Sequence, residues 1–350
     1  MRRFDYSFLD SGMLPAGLLN ITADIYSLRA MAWSRSESHA EILSELASIA
    51  KVQSVKSSNA IEGIVTTDQR IHEIVNGNSA PLSHNELEIA GYRDALAAVH
   101  RGYAELDFRE EDIQRLHAVM MGNVPGYGSA GRYKAFDNNI IEEDRNGKRS
   151  VRFCPMAASD TPEAMRQLVL AYQEARGTAT INQLLLIPCV ILDFLCIHPF
   201  EDGNGRLSRL LSLTLLYKNG FDAGKYISFE EQINNRKGNY YDALLRSSTG
   251  WHENQNDYSP FLMEFLSVLY LCYKELDRRF AVVGSRSVTK QARVEATVLN
   301  SLTPVSKAAI CKILPDVSPT TVEAALGRML KEGKIQKIGA GRATSYLRRM

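Results

Sequence analysis

Residues 198–209 read His-Pro-Phe-Glu-Asp-Gly-Asn-Gly-Arg-Leu-Ser-Arg, with apolar segments on both sides. Such a pattern has to bring one buried helix to a polar, glycine-opened loop and start a second buried helix from it. The glycines let backbone N–H groups approach an anion, and the following helix points its positive dipole end at the same place. Arg206 and Arg209, three apart, share one face of that helix in its first turn. Asp202 is a carboxylate suited to a divalent cation beside phosphates. His198 is the one group in the run that takes up a proton near neutral pH. These residues predict a site for a nucleotide, a metal ion and a base, a set that a plain turn between helices does not need.

The run resembles the signature of Fic-domain proteins, His-Pro-Phe-x-[Asp/Glu]-Gly-Asn-Gly-Arg-x-x-Arg, and matches it at every defined position. Members of that family typically move AMP from ATP onto a hydroxyl side chain of a target protein. The resemblance implies a mainly α protein with an all-helical Fic core and a small β-hairpin flap. It implies that His198 is the catalytic base and Asp202 the Mg2+ ligand. Gly203, Asn204, Gly205 and Arg206 would cradle the α- and β-phosphates, and Arg209 would hold the γ-phosphate. A second match lies upstream, where Ser58-x-x-x-Glu62-Gly63 fits the family's inhibitory motif, [Ser/Thr]-x-x-x-Glu-[Gly/Asn]. By that resemblance Glu62 pairs with Arg209 and occupies the γ-phosphate space, from a helix N-terminal to the core. Arginine's planar fork binds carboxylate and phosphate alike, and Ser58 and Glu62 fall on one helix face.

Three further features attach to this frame. Residues 138–142 and 149–153 flank a turn at Asp144-Arg145-Asn146-Gly147, and Asn-Gly between such runs predicts a hairpin. It sits where the family has its flap, an edge to which an extended target segment can add as a strand. Tyr240 and Tyr241 stand where family members often carry an aromatic pair near the adenine and ribose, and are carried over as nucleotide-binding residues. His117, in Gln114-Arg115-Leu116-His117, resembles a recurrent family helix and reads as structural.

The chain's 350 residues suffice for two or three domains. The expected division is a helical region at 1–83 with the inhibitory helix, a Fic core at 84–284 and a winged-helix domain at 285–350. Helical periodicity covers 38–59, 84–102, 110–121, 161–176, 181–197, 205–218, 237–247 and 257–280. Residues 1–30, with Pro15 and two glycines, read as irregular. The tail predicts helices at 291–302, 306–314 and 318–332, then a hairpin at 334–338 and 344–347, after a linker at 285–289. Thr320, Thr321, Glu323 and Arg328 would lie on a recognition helix, with Arg342 in the wing.

Charge is segregated along the chain. Residues 286–350 hold twelve Lys/Arg against four Asp/Glu, about +8, while residues 1–285 hold 29 against 36, about −7. DNA is therefore a candidate partner of residues 286–350, with protein docking as the alternative. The apolar run 184–197 is too short to span a bilayer, and no apolar stretch follows Met1-Arg2-Arg3 as a signal peptide requires. The five cysteines (154, 189, 196, 272, 311) lack CxxC spacing and read as reduced. The expectation is a cytoplasmic protein adenylyltransferase without a membrane partner, using ATP and Mg2+ on a target Ser, Thr or Tyr and autoinhibited by Glu62. Homo-oligomerisation stays open. The alternatives are a DNA-binding regulator whose Fic domain senses nucleotide, removal of AMP, and transfer of another phosphate moiety.

Overall fold

Helix α8 (Gln183–Ile197) organises the molecule because it is apolar on every side. From Leu184 to Ile197 only Leu195 is less than fully buried. Such a helix must be enclosed, and α7 (Thr161–Gly177), α9 (Asn204–Lys218) and α12 (Ser259–Gly284) pack around it. Asn182 starts it by accepting the Leu184 N–H at 2.9 Å. One carboxylate lies inside it, and an unpartnered buried charge would be costly. Asp193 accepts from Tyr6 at 2.8 Å and Trp251 at 2.6 Å and pairs with Arg2 at 3.2 Å. Burial still pushes its carboxyl up from the ordinary range. The start of the chain is thereby fastened to the helix that ends at His198.

The structure is a computed structural model and describes residues 2–36, 40–143, 149–284, 289–299, 301, 304–339, 341 and 344–349. The turn expected at 144–147, most of the linker at 285–289, the helix start at Ser38 and the wing residue Arg342 lie outside the described residues. The chain opens with α1 (Phe8–Ser11), α2 (Ala16–Ser36), α3 (Ala40–Ile61), α4 (Asp68–Val75), α5 (His84–Gly102) and α6 (Glu110–Met121). Strands β1 (Ile140–Glu143) and β2 (Arg149–Phe153) pair antiparallel before α7, with Ile141 opposite Val151. After α9 come α10 (Phe229–Asn235), α11 (Lys237–Ser248) and α12. No helix among the described residues is long and apolar enough to cross a membrane.

The N-terminal region corrects the sequence reading. Residues 16–36 are helix, not irregular chain, because Pro15 stands just before the first turn, where its missing N–H leaves no bond unmade. Leu18, Thr22 and Ile25 bury the inner side of α2, which runs along α12. Two short helices, α4 and α10, also escaped the periodicity, being too brief for a repeating pattern.

Helix α3 packs on α10 and α5. Ser54 donates to Glu230 Oε2 at 2.7 Å and Tyr92 to Glu230 Oε1 at 2.9 Å, fixing the three helices together. Its end is set by Gly63, whose φ of 79° is left-handed. Gly63 N–H donates to Ala60 at 3.1 Å and Ile64 N–H to Asn59 at 3.0 Å, a paired closure of the last carbonyls. Lys237 adds a bond from Nζ to the Ile61 carbonyl at 2.6 Å. Glu62 is thus held at a rigid helix end.

The C-terminal part comprises α13 (Lys290–Leu299), β3 (Val305–Ser306), α14 (Lys307–Ile313), α15 (Pro319–Lys331), β4 (Ile335–Ile338) and β5 (Ser345–Arg348). Its sheet runs β3-β5-β4, so the expected hairpin gains a third strand. It has its own apolar cluster, including Val298, Ile310, Leu326 and Met329. Helix α14 also packs against α3.

Candidate nucleotide site

The end of α8 places His198 in an unusual backbone conformation, with φ 52° and ψ 62°. A non-glycine residue is sterically strained in this region. The surroundings hold it there. Lys134, itself buried, donates its backbone N–H to the Pro199 carbonyl at 2.8 Å and its Nζ to the Ile197 carbonyl at 3.2 Å. The carbonyls on either side of His198 are therefore clamped by one residue. Asn138 accepts from Lys134 Nζ at 2.9 Å and donates to the Phe200 carbonyl at 3.2 Å.

The imidazole is oriented as well as placed. His198 Nδ1 lies 3.2 Å from the Leu195 carbonyl, which can only accept. Nδ1 therefore carries the proton, and Nε2 keeps its lone pair. Burial, aided by the Lys134 charge, pulls the His198 pKa down to about 4, so the ring is neutral near pH 7.

The next turn is built by residues that fix backbone. His117 is fully buried and stacks on Phe200 with ring centroids 3.8 Å apart. Its Nδ1 accepts the Gly131 N–H at 2.9 Å, so Nε2 donates to the Asp202 carbonyl at 3.0 Å. Tyr127 accepts the Asp202 N–H at 2.9 Å. Asn204 clips the loop shut, accepting from Phe200 N–H at 3.0 Å and donating to its carbonyl at 2.8 Å. The Asn204 side chain is thus engaged with the loop, and its backbone N–H is what it offers at the start of α9. Gly203, with φ 80°, makes the turn into that helix.

Arg206 and Arg209 leave the first turn of α9 as their spacing requires, and both are buried. Arg206 Nη1 lies 2.6 Å from Glu88 Oε2 on α5, and Nη2 lies 3.4 Å from Asp202 Oδ2. Its Nε is buried without a hydrogen-bond partner. Arg209 donates from Nε to Ser58 Oγ and from Nη2 to the Ser58 carbonyl and Glu62 Oε1, each at 2.9 Å. The two sequence motifs therefore meet. At Gly205 an added Cβ would stand 2.3 Å from Glu62 Oε1, so the helix start leaves room for an acidic group there.

Tyr240 and Tyr241 border the same cleft, together with Asn139, Arg152 and Phe153 of the hairpin region. Tyr240 is buried and its ring meets Tyr241 edge-on, centroids 6.1 Å apart. Arg152 stands 4.8 Å over the Tyr241 ring and donates to its carbonyl at 2.6 Å, tying β2 to α11. Burial raises the Tyr241 hydroxyl to about 12, so it stays protonated. No group of three or more His, Cys, Asp or Glu side chains forms a metal centre among the described residues. Asp202 stands at the rim with its side chain 64% exposed.

Residues 107–216 match the sequence family described as Fic/DOC. The fold is that of Fic proteins. A Fido domain-containing protein of Dictyostelium discoideum is 29% identical over 118 residues, which cover 33% of this chain and 78% of that protein. Protein adenylyltransferase Fic of Nematostella vectensis is 25% identical over 220 residues, 60% of this chain but 45% of its own. A Fic family protein from Desulfovibrio desulfuricans has the same fold, with a TM-score of 0.63 at 19% identity over 96% of this chain and 97% of its own. A Fic domain containing signaling protein from Bacteroides thetaiotaomicron matches with a TM-score of 0.54 at 19% identity over 75% and 94%.

The fold brings His198, Asp202, Arg206, Arg209, Glu62 and both tyrosines to one cleft. Sequence reasoning missed Glu88, Lys134 and Tyr127. Glu88 had a faint signal, an acid among the apolar positions of α5; Lys134 and Tyr127 lie in irregular chain where no periodicity marks a buried side.

Proposed function

We propose that the Fic domain transfers AMP from ATP to a Ser, Thr or Tyr hydroxyl of a target protein, and that Glu62 holds it inactive. The observation that carries the reading is His198: a neutral imidazole with a free Nε2, beside two buried arginines at a helix N-terminus. In the reaction the target oxygen bonds to the α-phosphorus while His198 Nε2 takes the hydroxyl proton. The bond from the α-phosphorus to the pyrophosphate oxygen breaks, and pyrophosphate leaves with its charge offset by Arg206, Arg209 and the N–H groups of α9. The unpartnered Arg206 Nε is a donor that a phosphate oxygen would satisfy. The curated relative named protein adenylyltransferase supports the same chemistry.

Mg2+ fits the donor set. It is commonly held by one or two carboxylates together with substrate phosphates, and Asp202 offers one exposed carboxylate beside the α9 N-terminus. When bound, the ion would neutralise phosphate charge; Asp202 would hold it.

Glu62 is the regulatory element of this proposal. Its carboxylate holds the Arg209 fork that a γ-phosphate would otherwise take, so ATP has to displace it or bind short of its productive position. Incubation with α-labelled ATP and Mg2+, alone and in cell lysate, tests the reading. Label transfer to protein by Glu62→Gly is the expected result. No transfer by that variant, with nucleotide binding intact, would remove AMP transfer.

Residues 285–350 are proposed as a winged-helix module. Its acids are paired internally: Asp316 with Arg293, Glu323 with Lys307, Glu295 with Arg328, and Glu332 with Lys334. Lys312, Lys331 and Lys337 are exposed and have no carboxylate partner among the described residues, which supports contact with a polyanion.

A further inference from the structure

Helix α2 buries Leu18 and Ile25 on its inner side, yet it also carries large apolar side chains on the solvent side, where an ordinary surface helix is polar. Arg29 lies 4.6 Å from the centroid of the Phe221 ring, and Arg35 pairs with Asp277. On the outer side Leu19, Tyr26 and Trp33 are 54%, 41% and 74% exposed. Ala16, Ala23 and Ala30 are exposed between them. The six residues alternate alanine and large side chain at spacings of three and four, the seam pattern of a coiled coil. Asn20, Ser27 and Ser34, flanking the seam on its open side, are uncharged. Asp24 is exposed but stands about 100° round the helix from Ala23.

We infer that this seam is where a second copy of the chain docks, laying its own α2 antiparallel against the first about a two-fold axis. The size pattern selects both the partner and the direction. In the antiparallel pair Leu19 meets the partner's Ala30, Tyr26 meets the partner's Ala23 and Trp33 meets the partner's Ala16. The two-fold repeats each contact, giving six layers that each join one large and one small side chain. A parallel pair would alternate Leu-on-Leu, Tyr-on-Tyr and Trp-on-Trp layers with Ala-on-Ala layers, crowded and hollow in turn. The antiparallel contact uses the same patch on both copies and closes with two. Tyr26 is fixed at the side of the seam, its ring edge-on to Phe221 at 5.4 Å and its hydroxyl donating to Asn182 Oδ1 at 3.3 Å, which leaves 41% of it exposed.

The area is adequate for a modest dimer. The helix is about 30 Å long, and the six seam residues leave on the order of 500 Å2 per copy to be covered. A pair then buries roughly the 1,000 Å2 that a specific interface must clear. Dissociation on dilution is the corollary.

Sedimentation of the full chain tests this inference, which does not depend on the reaction. The wild type is expected as a concentration-dependent dimer, and Trp33→Glu and Ala23→Trp as monomers with unchanged circular dichroism. Trp33 is exposed in one copy, so its loss leaves the monomer's packing alone. In a Cys154→Ser background, a mixture of Leu19→Cys and Ala30→Cys chains is expected to cross-link as a heterodimer, with little homodimer of either. Three results would each overturn the inference: a wild type that stays monomeric up to about 100 µM, weaker than an interface of this size should be; a dimer untouched by both surface variants; or cross-linking mainly between two Leu19→Cys chains.

Discussion

Glu62 Oε1 stands 2.9 Å from Arg209 Nη2, at a spot 2.3 Å from where a side chain on residue 205 would begin. One acidic group therefore fits between the arginine fork and the start of α9. Glu62 is not loosely placed: Gly63 and Lys237 close the helix beneath it. Ser58 keeps two of the Arg209 bonds whether or not the carboxylate is present.

Glu62→Gly is accordingly expected to raise ATP-dependent labelling by about tenfold or more, the change that freeing a charge-assisted fork of about 1.5–3 kcal/mol brings. Adding Arg209→Ala should return most of that gain. Equal labelling by wild type and Glu62→Gly across ATP concentrations, with lysate targets present, would end the autoinhibition proposal.

His198→Ala should lower transfer by about 10²–10⁴-fold or more in the Glu62→Gly background, while ATP binding persists, because the lost function is proton removal. Calorimetric titration with ATP separates the two quantities. A variant that transfers AMP at a near-wild-type rate would take the base role from His198.

Lys134→Met tests whether the clamp around His198 matters to the reaction. Two consequences are expected: a lower kcat with little change in KM for ATP, and an acid limb of the pH–rate profile moved upward. The second follows from sign, since the Lys134 cation opposes protonation of His198. A Lys134→Met variant with unchanged profile and kcat would reduce the clamp to a packing contact.

Stability should depend on pH in the histidine range. His100, His117 and His198 are all drawn to about 4 by burial, from an ordinary value of 6.5. Between these values the unfolded chain binds more protons than the folded one, so stability is full above about 6.5 and is lost as pH falls toward 4. Each fully titrating proton changes it by about 1.4 kcal/mol per pH unit. Urea unfolding at about pH 7, 6 and 5, on either side of the ordinary histidine range, reads the slope. A flat profile would mean that the rings are not held neutral.

The residues that meet in the cleft were easier to pick out of the sequence than the N-terminal helices around them. Residues 198–209 declare their chemistry because backbone freedom, charge and titration coincide in one run, and the Ser58–Glu62 motif supplied its counterpart. Long helices such as α5 and α12 were legible from apolar periodicity. Helix α2 was hidden by the breakers around it, and its outward apolar seam blurred the single buried stripe that marks a surface helix. Lys134 and His117 act by fixing backbone carbonyls, a role set by tertiary neighbours rather than by local pattern.

The C-terminal module offers the last test. Each phosphate that it neutralises should make the affinity for duplex DNA fall by about 0.9 log unit per log unit of salt. The internal pairing of Arg328 and Lys334 with Glu295 and Glu332 removes part of the charge that the sequence assigned to the recognition face. The expected slope is therefore set by Lys312, Lys331 and Lys337 more than by the module's formal charge. Lys331→Glu with Lys337→Glu should weaken binding without changing AMP transfer by the Glu62→Gly chain, because every proposed catalytic group lies before residue 285. Helix α14 rests on α3, the helix that ends at Glu62, so bound DNA should alter the labelling rate of the intact chain in proportion to occupancy. Fluorescence anisotropy of the full chain with duplex DNA, across salt concentrations, reads the first effect and label transfer the second. If no duplex binds even at low salt, DNA is not the partner of this module.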